Sequence, residues 1–330
     1  MCYNQEHDYI GAQKMKNLAD TIEKYYKDNF DKMPAGKKFH FSSRLYSWKN
    51  DEFSKKYLAT VKNDYVHLGD KTKILSDIEE LLVQPPTPPE LLNAFKVRKP
   101  YFDKYPLLTN LNKALFRTHY LRSIYNYDAR DLLLKTTSKK DIDELVAQVA
   151  SDRDAVRVLS TYVVNAVFLA KRILWEDEDF INNFCANEYA NATQYPLRTP
   201  VDIQLQIYLY THLIIGDSKF YTASVSPARR ELFVQMLQDL EKIIDTNFSN
   251  VNLDNKYEFL VCCRIMDYNT ALAERIHGEA IDSFSADGDF IVDVHNNMKQ
   301  LARSDFSTSE HRNILLIMSS GDYPHHGERS

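Results

Sequence analysis

The residues best placed to do chemistry are three histidines inside expected helices: His119, His212 and His277. An imidazole titrates at about 6.5 when unperturbed, so it can take or give a proton near neutral pH. His212 leads. It follows Tyr210 and Thr211, precedes Asp217, and shares a helical face with Leu205, Tyr208 and Leu209. A carboxylate in the right place would complete an acid/base pair. Glu258 is the candidate, because it sits in the apolar run 257–266 with no local partner in its own helix. His212 and Glu258 are therefore expected as the catalytic pair if the chain is an enzyme. Tyr208, Tyr210, Arg264, Asp267 and His277 are expected as ligand contacts. Tyrosines such as Tyr208, Tyr210 and Tyr221 offer apolar bodies with polar tips, which suits an organic ligand, a peptide or an ordinary helical core. Arg264 and Asp267, three apart, read either as an internal ion pair or as a polar cavity wall.

Other constellations are weaker. Asp293, His295 and Asn296 with Glu310 and His311 supply zinc-ligand types, but Asp and His two apart share a face only in extended chain. No metal is expected. Thr270 and Glu274 have the spacing of part of the Mg²⁺ motif of helical isoprenoid cyclases. The first ligand position is Met266, a poor donor for hard Mg²⁺. Glu176-Asp177-Glu178-Asp179 reads more simply as the acidic first turn of a helix. The stretch Lys37, Lys38, His40 and Arg44 with Phe39, Phe41, Tyr46 and Trp48 carries charge and rings that could stack on nucleic acid. A formal net charge of −5 argues against that partner. The stretch is expected to pack instead.

The motifs G-x-S-x-G, G-x-x-x-x-G-K-[ST], G-x-G-x-x-G and H-E-x-x-H are all absent. No cofactor is expected. Cys2, Cys185, Cys262 and Cys263 include no C-x-x-C pair, so buried free thiols are expected rather than a disulfide framework. The first residues, MCYNQEHDYIGAQK, contain no apolar signal core, and no apolar stretch approaches the ~20 residues of a membrane span. The expectation is a cytoplasmic protein without a membrane partner.

The elements that must position these residues are helices. Only 8 glycines occur in 330 residues, which disfavours Rossmann folds and β-sandwiches and favours helices with short polar loops. Apolar spacing predicts helices at 8–30, 50–67, 71–83, 90–97, 107–126, 139–149, 152–174, 178–190, 200–216, 227–247, 254–267, 270–284 and 308–319. Residues 36–48 are ambiguous, because Phe39 and Phe41 alternate as in a strand. Pro85, Pro86, Pro88 and Pro89 break the chain and suggest a stiff crossover at 84–90. That gives an N-terminal helical segment at 1–83 packing on a main domain at 91–319, with a disordered tail at 320–330.

Residues 203–215 and 257–266 are apolar all round and should be buried. Residues 229–246 and 270–284 are amphipathic. Alternating inner and outer helices predict an all-α protein of roughly a dozen helices, arranged as helical hairpins in an α/α toroid or α-solenoid. The Asp287-Gly288 turn before Phe290 fits such a hairpin; similar loops occur in α/α-toroid enzymes, an analogy of fold alone. The function expected is binding or scaffolding: a peptide, protein partner or small organic ligand held in a concave or central cavity. The alternative is a toroid-type hydrolase or lyase using the His212/Glu258 pair.

Overall fold

The computed structural model describes residues 2–83, 93–285, 289–292 and 305–324. The Pro-rich stretch 84–90, the Asp287-Gly288 turn, Asp293, His295, Asn296 and the end of the tail lie outside them. The described residues hold sixteen α-helices and no strand; Phe284 and Ile291 form an isolated antiparallel bridge. The all-α class is as expected.

In chain order come α1 (Cys2–Asp28), α2 (Ala35–Lys49) and α3 (Glu52–Val61). Then follow α4 (Lys71–Val83), α5 (Asn93–Lys104), α6 (Leu108–Tyr125), α7 (Arg130–Thr136), α8 (Lys139–Ser151), α9 (Arg153–Leu159) and α10 (Thr161–Val167). A π-helical segment, Phe168–Leu174, precedes α11 (Glu178–Ala192) and α12 (Pro200–Asp217). The chain ends with α13 (Arg230–Thr246), α14 (Leu253–Met266), α15 (Leu272–Asp282) and α16 (Glu310–Ser319). The chain forms two compact units. Met1–Leu58 and Leu237–Ser330 make one, and Ala59–Met236 make the other, so the divisions fall inside α3 and α13.

Local chemistry explains the boundaries. Ser138, Asp152, Asp177 and Asn252 accept a backbone N–H in the first turns of α8, α9, α11 and α14. At α12, Thr199 and Asp202 form a reciprocal capping box with Pro200 at the first helical position. Asn50, Asn126 and Asp267 close α2, α6 and α14 in the left-handed conformation that short polar side chains tolerate. Ser160, at φ 30°, splits the expected 152–174 helix into α9 and α10.

In the unit that joins the two ends of the chain, α16 is the central element, packed by α1, α2 and α14. Ile314, Leu315, Leu316, Ile317 and Met318 are fully buried. Each such side chain contributes about 1.5–3 kcal/mol. Every residue of α14 from Asn255 to Cys263 is buried as well, as its all-round apolar pattern requires. On α15, Leu272, Ile276 and Ala280 are buried while Glu274, Arg275 and Asp282 are exposed. In the other unit, α10 packs on α6, α8 and α12. Leu205, Ile207, Leu209, Tyr210, Leu213, Ile214 and Ile215 of α12 are buried. Among the described residues no helix is long and apolar enough to cross a membrane.

Candidate functional site

A dense group of ionisable side chains lies at the first turn of α16. Three elements build it. The spacing of Lys37, His40 and Arg44 puts them on one face of α2. Asp254 and Glu258 share a face of α14, and Glu310, His311 and Arg312 open α16. Glu310 is fully buried. Its Oε1 lies 2.7 Å from His40 Nδ1 and its Oε2 3.2 Å from Lys37 Nζ. Arg44 Nε donates to His40 Nε2 at 2.9 Å. A guanidinium can only donate, so Nε2 holds a lone pair and the His40 proton is on Nδ1, given to Glu310. The ring is therefore neutral. Burial drives its pKa down from 6.5 to about 4, outweighing the pull of Glu310, and Arg44 adds to the decrease. Glu310 is held down to about 2: burial opposes its ionisation, but His40, itself protonated in the acid range below about pH 4, and Lys37 overcome that.

Beside it runs a second chain of contacts. Arg312 donates to Asp254 Oδ2 at 3.1 and 3.3 Å, and His311 Nδ1 meets Asp254 Oδ1 at 3.2 Å. Although burial opposes it, Arg312 and His311 keep the Asp254 carboxyl well below the usual carboxylate range. His311 Nε2 faces Glu258 Oε1 at 4.0 Å. The two imidazoles are 5.8 Å apart between ring centres. Glu258 thus has a histidine within reach, and it is His311. A carboxylate orienting one ring nitrogen while the other faces a second, buried carboxylate is an arrangement able to move protons.

The other expected site residues are distributed. His212 belongs to the opposite compact unit from Glu258. Its Nδ1 pairs with Asn165 Oδ1 at 2.9 Å, joining α12 to α10. Tyr208 lies on the same partly exposed face, with its ring 6.4 Å from His212, and accepts from Gln204. Tyr210 is on the buried face against Tyr189. Arg264 and Asp267 are exposed rather than internal, because they fall at the open end of α14. Arg264 Nε donates to Ser319 O at 2.8 Å. His277 Nδ1 is 3.4 Å from the Tyr257 hydroxyl, and burial lowers its pKa to about 4.

Thr270 gives its hydroxyl to Glu241 at 2.6 Å. Asp177 caps α11, so the acidic run is a helix start. Among the described residues no group of three or more His, Cys, Asp or Glu is placed to hold a metal ion. Cys185, Cys262 and Cys263 are buried free thiols. Phe39, Phe41 and Trp48 are buried in their helix and have no face free to stack on a base.

One open groove of about 530 Å³ is lined by Gln238, Glu241, Lys242 and Asp245 on α13 and by Tyr268, Ala271, Leu272 and Arg275. The Glu241 carboxylate accepts from the Tyr268 hydroxyl at 2.6 Å, from Thr270 and from the Ala271 N–H at 3.1 Å. Those three donors hold its pKa down against desolvation. Arg275 pairs with Asp245 at 2.7 Å and lies 3.8 Å over the Phe248 ring. Sequence reasoning marked α13 as an outer helix but gave no sign that its wet face borders a groove.

None of the protein-family models, curated proteins or solved structures compared with the chain matches it.

Proposed function

We propose that the chain is a helical binding protein whose α13–α15 groove takes a short peptide segment of a partner. The observation carrying this reading is the groove's lining. Glu241, Asp245, Lys242 and Arg275 line it together with Leu272, Asp245 pairs with Arg275, and no histidine is present. Two acids and two bases on an open floor suit an extended segment with charges of both signs, and its volume suits a few side chains. No histidine lines the groove, so the His/Glu acid–base pair of the alternative reading has no counterpart there. A helical-hairpin stacking, toroid- or solenoid-like, is the arrangement we propose for these helices. Its support is that α12 and α14 are buried on nearly all sides while α13 and α15 each keep a wet face.

The test is a selection of random twelve-residue peptides on the wild-type protein. A Lys242→Glu/Arg275→Glu variant serves for comparison. Arg275 is half exposed and Lys242 exposed, so folding tolerates both changes. Selected peptides should carry acidic residues and lose roughly tenfold or more in affinity on the variant, a difference of about 1.4 kcal/mol. Peptides that bind both proteins equally, or no enrichment at all, overturn the reading.

A second reading, an acid/base enzyme of the hydrolase or lyase type, is favoured by one observation: His311 sits between Asp254 and Glu258 with a third of its side chain exposed. It requires a turnover that His311→Gln abolishes while the fold is kept.

A further inference from the structure

In the Ala59–Met236 unit, two irregular stretches of backbone meet. After α12 the chain turns through Lys219, Phe220 and Tyr221, all left-handed, with φ of 50, 54 and 72°. Three successive bulky residues in that region are strained, and such strain persists only where the surroundings impose it. Opposite lies the π-helical segment Phe168–Leu174, a rare geometry frequent at functional sites. Only glycine fits between them at Gly216, where an added Cβ would stand 2.6 Å from Phe168 Cγ. Arg172 of the π-helical segment donates to the Asp217 carbonyl at 3.0 Å. Asp217 is also clamped by Arg229 at 2.9 Å and by the Ser226 N–H at 2.7 Å.

Lys219 stands on this clamp, half-buried. Its ammonium makes no hydrogen bond or ion pair among the described residues. The usual place for a cation here would be the carbonyls ending α12. Those of Ile214, Ile215 and Gly216 already accept the N–H groups of Ser218, Phe220 and Lys219, and that of Asp217 accepts Arg172. The charges acting on Lys219 are Arg172, Glu176, Arg122 and Glu178. Glu178 is taken by Arg172 and Arg229. Arg122 anchors one nitrogen on Ile173 O at 3.0 Å and holds Glu176 only loosely, at 3.7 Å. Glu176 is thus the exposed carboxylate felt by both Lys219 and Arg122, in no ion pair with Lys219 among the described residues, while Asp128, paired with Arg130, reaches Arg122 only electrostatically. Next to them, His119 is buried, with no partner on Nε2 among the described residues.

We propose that Lys219 and Arg122 form a binding site for a small oxyanion, the phosphate or carboxylate group of a metabolite-sized ligand. An oxyanion supplies the acceptors that Lys219 lacks and accepts bidentate contact from Arg122. It also offsets the repulsion among Arg122, Arg172 and Lys219. Desolvation, followed by Arg172, lowers the proton affinity of Lys219, as expected of a cation short of a counter-ion. The site is independent of the α13–α15 groove and stands or falls without it.

The experiment measures the acetylation rate of each lysine by mass spectrometry, with inorganic phosphate, acetate or sodium chloride at equal ionic strength. The rate of Lys219 in chloride is its own reference. Phosphate or acetate should then slow it roughly tenfold at saturation, a loss of one charge-assisted contact's worth of access. The anion effective at lower concentration identifies the group. Calorimetric binding of that anion should weaken about tenfold or more in Lys219→Asn, whose side chain tolerates the left-handed backbone. It should weaken likewise in Arg122→Gln. Protection no greater than that of chloride, or unchanged binding by either folded variant, overturns the proposal.

Discussion

His40 should make the α2–α16 contact acid-sensitive, and the effect can be sized. In the fold its pKa is about 4, against 6.5 for the free side chain. As pH falls from 6.5 to 4, the unfolded chain takes a proton that the folded one refuses, so stability is fully present above pH 6.5 and lost below it. Each pH unit is worth about 1.4 kcal/mol, which gives an upper figure of about 3 kcal/mol. A quarter of the His40 side chain meets solvent, which weakens the desolvation; about 2 kcal/mol is the working figure. Glutamine at 40 can still donate to Glu310 and accept from Arg44, but does not titrate. The assay is urea unfolding of wild type and His40→Gln from pH 7.5 to 4.5, in a Trp175→Phe background. Trp48, the other tryptophan, is buried on α2 and reports on this unit. His119 and His277, also lowered to about 4, lose stability in the same window in both proteins and cancel in the difference. Glu310 acts separately, losing its contribution as pH falls from 4.5 toward about 2. The variant should gain about 2 kcal/mol on the wild type between pH 7.5 and 4.5. A constant gap, or one that widens in favour of the wild type, refutes the neutral, Nδ1-protonated ring.

Two further outcomes follow from packing and hydrogen bonding. Gly216→Ala pushes a methyl into the buried Phe168 ring at 2.6 Å, so it should destabilise by about 2 kcal/mol or more, read from thermal unfolding. Asn313→Leu keeps the branching at Cγ but orphans the buried Ile291 N–H and C=O, each bonded to Asn313 at 2.9 Å, and adds bulk to a fully buried position. It should cost about 2–4 kcal/mol and remove hydrogen-exchange protection at the Ile291 amide.

Much of the fold was legible because burial writes itself into periodicity. The expected helix at 71–83 is α4 to the residue, and the all-round apolar runs at 203–215 and 257–266 are buried helices. At α2 the Phe39/Phe41 alternation misled; Phe41, Leu45 and Trp48, spaced by four and three, are its buried face. The short α7 was not anticipated, since seven residues give under two turns of pattern. The π-helical segment and the Ser160 kink follow from tertiary packing and leave no local mark. Charge placement was harder still. Arg264 and Asp267 sit in a greasy run, yet the helix ends there and exposes them. Lys37, His40, Glu258, Glu310 and His311 were each visible, but sequence separations of up to 273 residues hid their meeting. Glu258 was visible as a carboxylate in an apolar run; His311 of α16, which stands 4.0 Å from it, was not foreseen beside it.

The most direct test of the proposed binding function is hydrogen exchange across the whole chain, with and without a peptide selected on the wild type. Protection confined to residues 238–245 and 268–275 is the result the groove requires. Protection centred elsewhere, with those two stretches unchanged, would contradict it.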